Sequence, residues 1–164
     1  MRELEMDVWD APADAWIGIP TNGTVRANHR LVMGRGVAQQ AKEKFADLDW
    51  LLGLHVYHVG NTPMVCHGTY YGRNWTFRLF SFPVKHNWWE SADIALIARS
   101  TVWLDALALE SPKVTFYLPR PGCGNGRLLW SDVKPVIEFL PDNVIVVHKN
   151  LPTLVEVSSL NAKG

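Results

Sequence analysis

The sequence predicts an α/β fold in which helices cover a mixed β-sheet. Three apolar runs of strand length, at 16–19, 114–118 and 144–147, are continuous rather than alternating, which is typical of central strands buried on both faces. Longer segments of helical periodicity separate them. Two further β-like stretches, 64–71 and 75–82, are divided by only three residues. They favour an antiparallel hairpin, and the sheet is therefore expected to be mixed.

Three helices are predicted from apolar residues spaced three and four positions apart. The first covers about 36–48. The second begins at Ser91 as N-cap and stops before Pro112, and the third begins at Ser131 as N-cap and ends at Pro141. No repeat or linker interrupts the pattern, so we expect one domain over residues 1–149. The segment 150–164 becomes polar towards its end and is expected to fray.

Composition excludes several classes of protein. The chain has 164 residues, 48% of them hydrophobic, which is enough for a sizeable core and unlike a disordered chain. Its 16 basic residues balance its 16 acidic residues, so the net charge is zero. Proteins that hold nucleic acid through many phosphates need a basic surface. We therefore expect no extended surface that binds nucleic acid. The balanced charge does not exclude a local basic pocket.

Cysteine use and hydropathy indicate a cytoplasmic protein. Cys66 and Cys123 are too few for a disulfide framework or a thiolate metal site. No run approaches the ~20 apolar residues of a membrane span, and the first ten residues lack an apolar signal core. His55 and His58 lie in a stretch that looks like a strand, where positions three apart face opposite sides. We expect no metal site and no membrane partner.

A strand, a glycine-rich loop and a helix follow one another twice, at 16–38 and at 114–127. In α/β sheets, ligands bind beyond the carboxyl ends of the strands, and glycines let backbone N–H groups approach a phosphate. Tight turns are the alternative for either loop. The sequence contains neither the G-x-x-x-x-G-K-[ST] phosphate loop nor an early G-x-G-x-x-G. A phosphate-bearing ligand is expected, but not one held in either of those ways.

Four segments in order resemble the signatures of macrodomains, the modules that bind ADP-ribose. They read MDV at 6–8, IPTN at 19–22, VMGRGVAQQAK at 32–42 and LPRPGCGNGRLLW at 118–130. Within that family, FPVKHNWW at 82–89 is similar to the F-P-T-K-x-x-W segment of the DarG-type DNA ADP-ribosyl glycohydrolases. The related terminal ADP-ribose protein glycohydrolases also depend on a lysine. The resemblance implies a three-layer α/β/α fold with a mixed central sheet and no cofactor.

The resemblance also implies roles for individual residues. Asp7 corresponds to the carboxylate that accepts from the adenine amino group, with Val8 beside it, and Asn22 to the asparagine that faces the distal ribose. Lys85 lies where the DarG-type catalytic lysine is found. The loop for the distal ribose and one phosphate comprises Gly34, Arg35, Gly36, Val37 and Ala38, and the loop over the diphosphate comprises Pro119, Gly122, Cys123, Gly124, Asn125 and Gly126.

Three of these residues have other interpretations. Asp7 is also compatible with a solvated turn. Cys123 between glycines suggests a nucleophile, but no neighbouring histidine or carboxylate would activate it, so we favour a small residue that permits close backbone approach. Lys85 would ordinarily be a surface charge. Aromatic neighbours such as Trp88 and Trp89 would instead lower its pKa and make the amine usable, and they are candidates for the rim of the site.

The sequence departs from the family pattern at three places. Gly126 stands where the protein-directed glycohydrolase has the aspartate of its Lys–Asp pair. Arg127 and Leu129 replace the second glycine and the aspartate of the DarG-type loop. Residues 23–32 form a longer and more polar insertion than usual. Its polar side chains are candidates for setting substrate choice: Arg26, Asn28, His29 and Arg30.

The resemblance implies an enzyme that binds ADP-ribose and hydrolyses ADP-ribosyl conjugates, releasing ADP-ribose from DNA or protein with the help of Lys85. Two alternatives stay open. One is hydrolysis of ADP-ribose 1″-phosphate or a related metabolite, and the other is a reader that binds ADP-ribose without turnover. The expected partners are ADP-ribose or ADP-ribosylated DNA or protein. A monomer is compatible with these partners, and the sequence leaves the oligomeric state open.

Overall fold

Six strands form a single mixed sheet in the computed structural model, which describes residues 1–149. In chain order they are β1 Arg2–Glu5, β2 Trp16–Thr21, β3 Val65–Tyr70, β4 Arg73–Pro83, β5 Phe116–Pro119 and β6 Val144–His148. Their order across the sheet is β1-β6-β5-β2-β4-β3. Only β3 pairs antiparallel, with β4, and the other four pairings are parallel. The mixed sheet predicted from the sequence is confirmed.

Helices cover both faces of this sheet. They are α1 Gly36–Lys44, α2 Leu48–His58, α3 Ile94–Glu110 and α4 Trp130–Ile137. Adjacent residues of β4 point to opposite faces: Leu79 packs in the core under α1 and α2, and Phe80 packs in the core under α3 and α4. The three-layer arrangement is therefore as predicted. The predicted fraying of 150–164 lies outside the described residues.

The predicted hairpin is present, with a tighter turn than expected. Tyr70 pairs with Arg73, which leaves only Tyr71 and Gly72 as the loop. Both have positive φ, 51° and 73°, as a type I′ turn requires. The sequence prediction placed the turn at 72–74 because Gly72 was taken as its first residue.

Helix α2 was missed, and the interpretation of His55 and His58 as strand residues is wrong. The helix carries buried leucines along much of its surface, so it lacks the amphipathic period by which helices are recognised. The two histidines lie about one turn apart near its end, and His55 Nε2 hydrogen-bonds with Thr62. Within residues 1–149, no group of three His, Cys, Asp or Glu side chains could hold a metal ion.

Other boundaries also differ from the sequence prediction. The helix expected to reach residue 48 ends at Lys44, because Asp47 adopts a left-handed φ of 63° and starts a new helix. The N-cap of α3 is Asp93 rather than Ser91, and its carboxylate accepts from Ala95 N. Helix α4 begins after Leu129 rather than Ser131 and ends at Ile137, before Pro141.

One strand begins later than the sequence prediction placed it, and another strand was missed. Strand β5 begins at Phe116, two residues later than predicted, and β1 was not predicted at all. A short, largely exposed edge strand rich in charge gives little hydrophobic signal. No helix within residues 1–149 has the length and apolar character needed to cross a membrane.

Gly53 is required where α2 crosses the segment 29–31. A Cβ on Gly53 would lie 1.8 Å from His29 O and 2.7 Å from Leu31 N, both backbone atoms. We expect Gly53→Ala to lower the free energy of unfolding by about 3 kcal/mol or more, since neither backbone can yield without disturbing its hydrogen bonds. Urea unfolding followed by circular dichroism measures this change.

The matched control is Gly34→Ala, because a Cβ on Gly34 would meet nothing within 4 Å. It should unfold at nearly the wild-type urea concentration. Equal urea midpoints of unfolding for the two variants would show that the space between Gly53 and the 29–31 segment can accommodate a Cβ.

Candidate functional site

The carboxyl ends of β2, β4 and β5 open into a cavity of 520 Å³, which is within the usual size of a small-molecule site. Both glycine loops contribute to its wall. Twelve of the fifteen residues implied by the family resemblance line it: Asn22, Gly34, Arg35, Gly36, Val37, Ala38, Lys85, Pro119, Gly122, Gly124, Asn125 and Gly126. The remaining three, Asp7, Val8 and Cys123, do not.

Asn22 closes the first loop as well as lining the cavity. Its side-chain Nδ2 donates to Val32 O at 2.9 Å, and its Oδ1 accepts from Thr24 N at 2.9 Å. Val32 N donates in turn to Thr24 O at 3.0 Å. These hydrogen bonds join the beginning of the 23–32 insertion to its end at Val32. Contact between Asn22 and a distal ribose stays a prediction.

The N-terminus of α1 faces the cavity with no side-chain cap. Its N-cap residue, Arg35, makes no capping hydrogen bond, and Gly36 has a φ of 57° that favours glycine. A Cβ on Gly36 would come within 3.0 Å of Asn125 Nδ2, so the two loops are neighbours here. The uncapped N–H groups of a first helical turn are suited to bind an anion.

The second loop is closed by its own backbone. Leu128 N donates to Gly122 O at 2.9 Å, and Arg127 N donates to Gly124 O at 3.1 Å. Gly126 packs against the backbone of Gly122, and a Cβ on Gly126 would lie only 2.4 Å from Gly122 O. Gly122 and Arg127 both have a left-handed φ, 77° and 64°. Glycine fits the first without strain, whereas the arginine is an unusual occupant of the second.

Lys85 lies two residues after the end of β4, and both its backbone groups and its side chain make hydrogen bonds. Its backbone N donates to Thr21 O at 3.3 Å, and its backbone O accepts from Asn61 Nδ2 at 2.8 Å. Its ammonium Nζ donates to Trp88 O at 3.3 Å. Burial lowers the pKa of Lys85 below its ordinary value, and the cations of Arg127 and Arg35 lower this pKa further. A larger fraction of the amine is therefore neutral near pH 7 than in a free lysine.

The charged side chains among the described residues of the cavity wall are all basic. Four basic side chains line the cavity, Arg26, Arg35, Lys85 and Arg120, and no aspartate, glutamate or histidine is among the described residues of its wall. The whole chain is neutral, whereas the charged side chains of this wall are basic, and Arg120 also pairs with Glu3 outside the wall at 3.7 Å. A concave site lined by one sign of charge attracts ligands of the opposite sign.

Asp7 and Val8 lie beside the cavity rather than in its wall. The Asp7 carboxylate accepts from Trp9 N at 3.0 Å and pairs with Lys149 Nζ at 2.8 Å. The hydrogen bond from Lys149, followed by that from Trp9 N, holds the pKa of Asp7 below its ordinary value. Val8 is buried in a cluster against which the cavity residue Val37 packs. The implied adenine contact stays a prediction.

Cys123 has the environment of a packing residue rather than a nucleophile. Its Sγ lies 3.6 Å from Pro121 O, and the residue packs against the core under α3 and α4. Burial raises the pKa of Cys123, which disfavours the reactive thiolate.

Eight residues of the wall were absent from the predicted set: Pro20, Thr21, Arg26, Val32, Met33, Val84, Trp88 and Arg120. Four of them, Thr21, Met33, Val84 and Arg120, are direct sequence neighbours of predicted residues. Arg120 could have been found, because it stands inside the LPRPGCGNGRLLW segment between Pro119 and the glycines. Arg26 and Trp88 were identified as candidates for substrate choice and for the rim.

Arg127→Gly tests the electrostatics of this site. Glycine adopts a φ of 64° without strain, so the loop should keep its shape. Loss of the Arg127 cation relieves repulsion of the Lys85 ammonium, and we therefore expect the pKa of Lys85 to rise. Carbon-13 NMR titration of the lysine side chains measures this shift.

Arg78→Ala is the control, because it removes a cation near the opposite end of the sheet, where Arg78 donates to Ala13 O. That variant should leave the pKa of Lys85 unchanged. An unchanged or lower pKa in Arg127→Gly would contradict the proposed repulsion.

No family model matches the sequence, and no curated protein matches it. Solved structures do match. The macrodomain of Mycobacterium tuberculosis DarG has a TM-score of 0.70 and 21% identity over 92% of this chain and 97% of that chain. The macrodomain of Thermus aquaticus DarG has a TM-score of 0.61 and 23% identity over 91% and 97% of the two chains.

A third structure, Thermosipho africanus DarTG in complex with ADP-ribose, has a TM-score of 0.68 and 19% identity. The match covers 92% of this chain but only 42% of the DarTG chain, so this chain spans less than half of that protein's length. Likeness at these identities establishes the fold. The predicted macrodomain fold is confirmed.

Proposed function

Taking the macrodomain fold as the premise, we propose that this protein binds ADP-ribose in the 520 Å³ cavity and hydrolyses ADP-ribosyl conjugates of DNA or protein. The observation that carries the proposal is the chemistry of the wall. Two glycine loops and four basic side chains surround an opening without a described acidic group, and a lysine with a lowered pKa stands beside them. A cytoplasmic location and a monomeric chain belong to the same proposal.

The diphosphate is held chiefly by backbone donors in this scheme. The uncapped first turn of α1 and the tight loop 122–126 both offer N–H groups to phosphate oxygens. Arg35, at the N-cap of α1, adds a positive charge at the same place. This arrangement accounts for anion binding by a chain with no net charge.

Lys85 supplies the reactive group at the distal ribose. Hydrolysis adds water across the bond between the anomeric carbon and the acceptor, so the site must orient that bond and provide an amine within reach. The lowered pKa of Lys85 supports this role, because only the neutral amine acts as a nucleophile or base. Two routes are open. In the first, the amine nitrogen bonds to the anomeric carbon of the ring-opened sugar, the acceptor leaves with a proton, and water then hydrolyses the resulting Schiff base to ADP-ribose and free Lys85. In the second, water displaces the acceptor from the anomeric carbon while Lys85 assists proton transfer to the leaving group.

Lys85→Ala separates binding from turnover. We expect it to keep ADP-ribose affinity within about threefold of wild type, since backbone groups hold the diphosphate. Release of ADP-ribose should fall by at least about 100-fold, because the amine is lost. The assay is a panel of ADP-ribosylated DNA, Glu- and Ser-linked protein, O-acetyl-ADP-ribose and ADP-ribose 1″-phosphate.

Lys113→Ala is the matched control, because Lys113 is exposed near the amino end of β5 and does not line the cavity. It should behave as wild type throughout the panel. Undiminished turnover of every conjugate by Lys85→Ala would exclude the role of the lysine.

Gly124→Glu tests where the diphosphate binds. A Cβ on Gly124 meets nothing within 4 Å, so a side chain fits there without disturbing the fold. The carboxylate would stand in the wall where phosphate is proposed to bind. Calorimetry should show at least about tenfold weaker ADP-ribose binding than for Gly124→Gln, which has nearly the same size and no charge. Equal affinities for the two variants would place the diphosphate elsewhere.

A second candidate function is binding of ADP-ribose without turnover. The observation in its favour is that no carboxylate or histidine is among the described residues of the wall, so Lys85 has no acid or base partner there. Tight ADP-ribose binding with no hydrolysis across the panel would select this function. Phosphate release from ADP-ribose 1″-phosphate, with unreacted DNA and protein conjugates, would instead identify a metabolite hydrolase.

A further inference from the structure

Thr24, a residue of the 23–32 insertion, is linked to the Lys85 amine by two hydrogen bonds, both made by the backbone of Trp88. Trp88 N donates to the Thr24 hydroxyl Oγ1 at 3.0 Å, and Trp88 O accepts from Lys85 Nζ at 3.3 Å. We propose that Thr24 is a positioning residue, whose hydroxyl holds the Trp88 backbone so that its carbonyl fixes the Lys85 amine. The consequence for turnover rests on the function proposed above, whereas the positioning itself does not.

Thr24 is itself held rigidly. Its backbone N donates to Asn22 Oδ1 at 2.9 Å, and its backbone O accepts from Val32 N at 3.0 Å. Next to it, Gly23 N donates to His86 O at 3.1 Å, and a Cβ on Gly23 would lie 2.8 Å from the same oxygen. The insertion and the segment after β4 are therefore in backbone contact. The Thr24 hydroxyl therefore accepts from Trp88 N while hydrogen bonds hold the Thr24 backbone in place.

The segment that Thr24 holds has little packing of its own. Trp88 and Trp89 are 49% and 57% exposed, and their rings contact each other edge to face. Exposed side chains do not anchor a loop, so hydrogen bonds to its backbone determine where it lies. Loss of the hydrogen bond from Trp88 N to Thr24 Oγ1 would release the Trp88 backbone, whose carbonyl accepts from Lys85 Nζ.

Thr24 is not among the residues that line the cavity, whereas Trp88 and Lys85 both are. Replacing Thr24 therefore removes no side chain from the wall. An effect on turnover without an effect on ligand affinity would then arise from the position of the amine. This property distinguishes a positioning residue from a binding residue.

The experiment compares Thr24→Val, which has a similar shape but no hydroxyl, with Thr24→Ser, which keeps the oxygen. Thr69→Val is the control, because Thr69 lies exposed on the edge strand β3. Lysine amines are labelled with carbon-13 methyl groups, and the Lys85 resonance is assigned by its loss in Lys85→Arg. In Thr24→Val this resonance should shift and narrow towards those of exposed lysines. In Thr24→Ser and Thr69→Val it should match wild type.

The second arm measures turnover of the conjugate that wild type hydrolyses fastest in the panel. We expect kcat to fall at least about tenfold in Thr24→Val, because displacement of a reacting group by about 1 Å is enough for such a loss. KM and the Kd for ADP-ribose should stay within about twofold, and Thr24→Ser should restore kcat. Melting temperatures verify folding, and Thr24→Ala replaces Thr24→Val if the latter does not fold.

The two arms separate this proposal from the proposed function. If wild type hydrolyses nothing in the panel, the proposed function fails, and the Lys85 resonance alone decides the positioning role. An unchanged Lys85 resonance in Thr24→Val overturns that role. A shifted resonance with an unchanged kcat overturns the consequence for turnover, because the amine would then need no positioning by Thr24 for the reaction.

Discussion

The parallel pairing of β2 with β4 on one side and β5 on the other determines where every part of the cavity lies. Thr21 is in register with Pro83, and Ile17 is in register with Tyr117, so all three strands run towards the same edge of the sheet. The 23–32 insertion, Lys85 and the 119–127 loop each follow one of these strands. Residues from three separate parts of the chain therefore meet at one opening.

Backbone hydrogen bonds, more than side-chain packing, shape that opening. Asn22 closes the base of the insertion, Gly122 O closes the second loop, and Thr21 O accepts from the residues that follow β4. Gly23 and Gly126 are needed because each stands against another backbone, where a Cβ would collide with a carbonyl oxygen. These hydrogen bonds hold the loops in place, and side chains such as Arg26, Arg35 and Trp88 line the cavity that the loops enclose.

Electrostatics then gives the opening its chemical character. The chain is neutral as a whole, yet Arg26, Arg35, Lys85 and Arg120 line one cavity whose described wall contains no acidic side chain. Of these four, Arg120 also pairs with Glu3 outside the wall at 3.7 Å. The same crowding that attracts an anion lowers the pKa of Lys85, since burial and the cations of Arg35 and Arg127 all disfavour its ammonium form. Arg127 supplies one of these cations from a left-handed backbone conformation that favours glycine.

The sequence by itself determined the sheet, both glycine loops and most of the cavity wall, because continuous apolar runs, turn residues and ordered motifs are local signals. It did not reveal α2, whose apolar residues surround the helix and hide its period, nor the short charged strand β1. Only the tertiary structure decided that Cys123 faces the core, that Asp7 pairs with Lys149, and that Thr24 reaches Lys85 through Trp88. These contacts join residues by the packing of separate strands and loops, and no spacing along the chain encodes them.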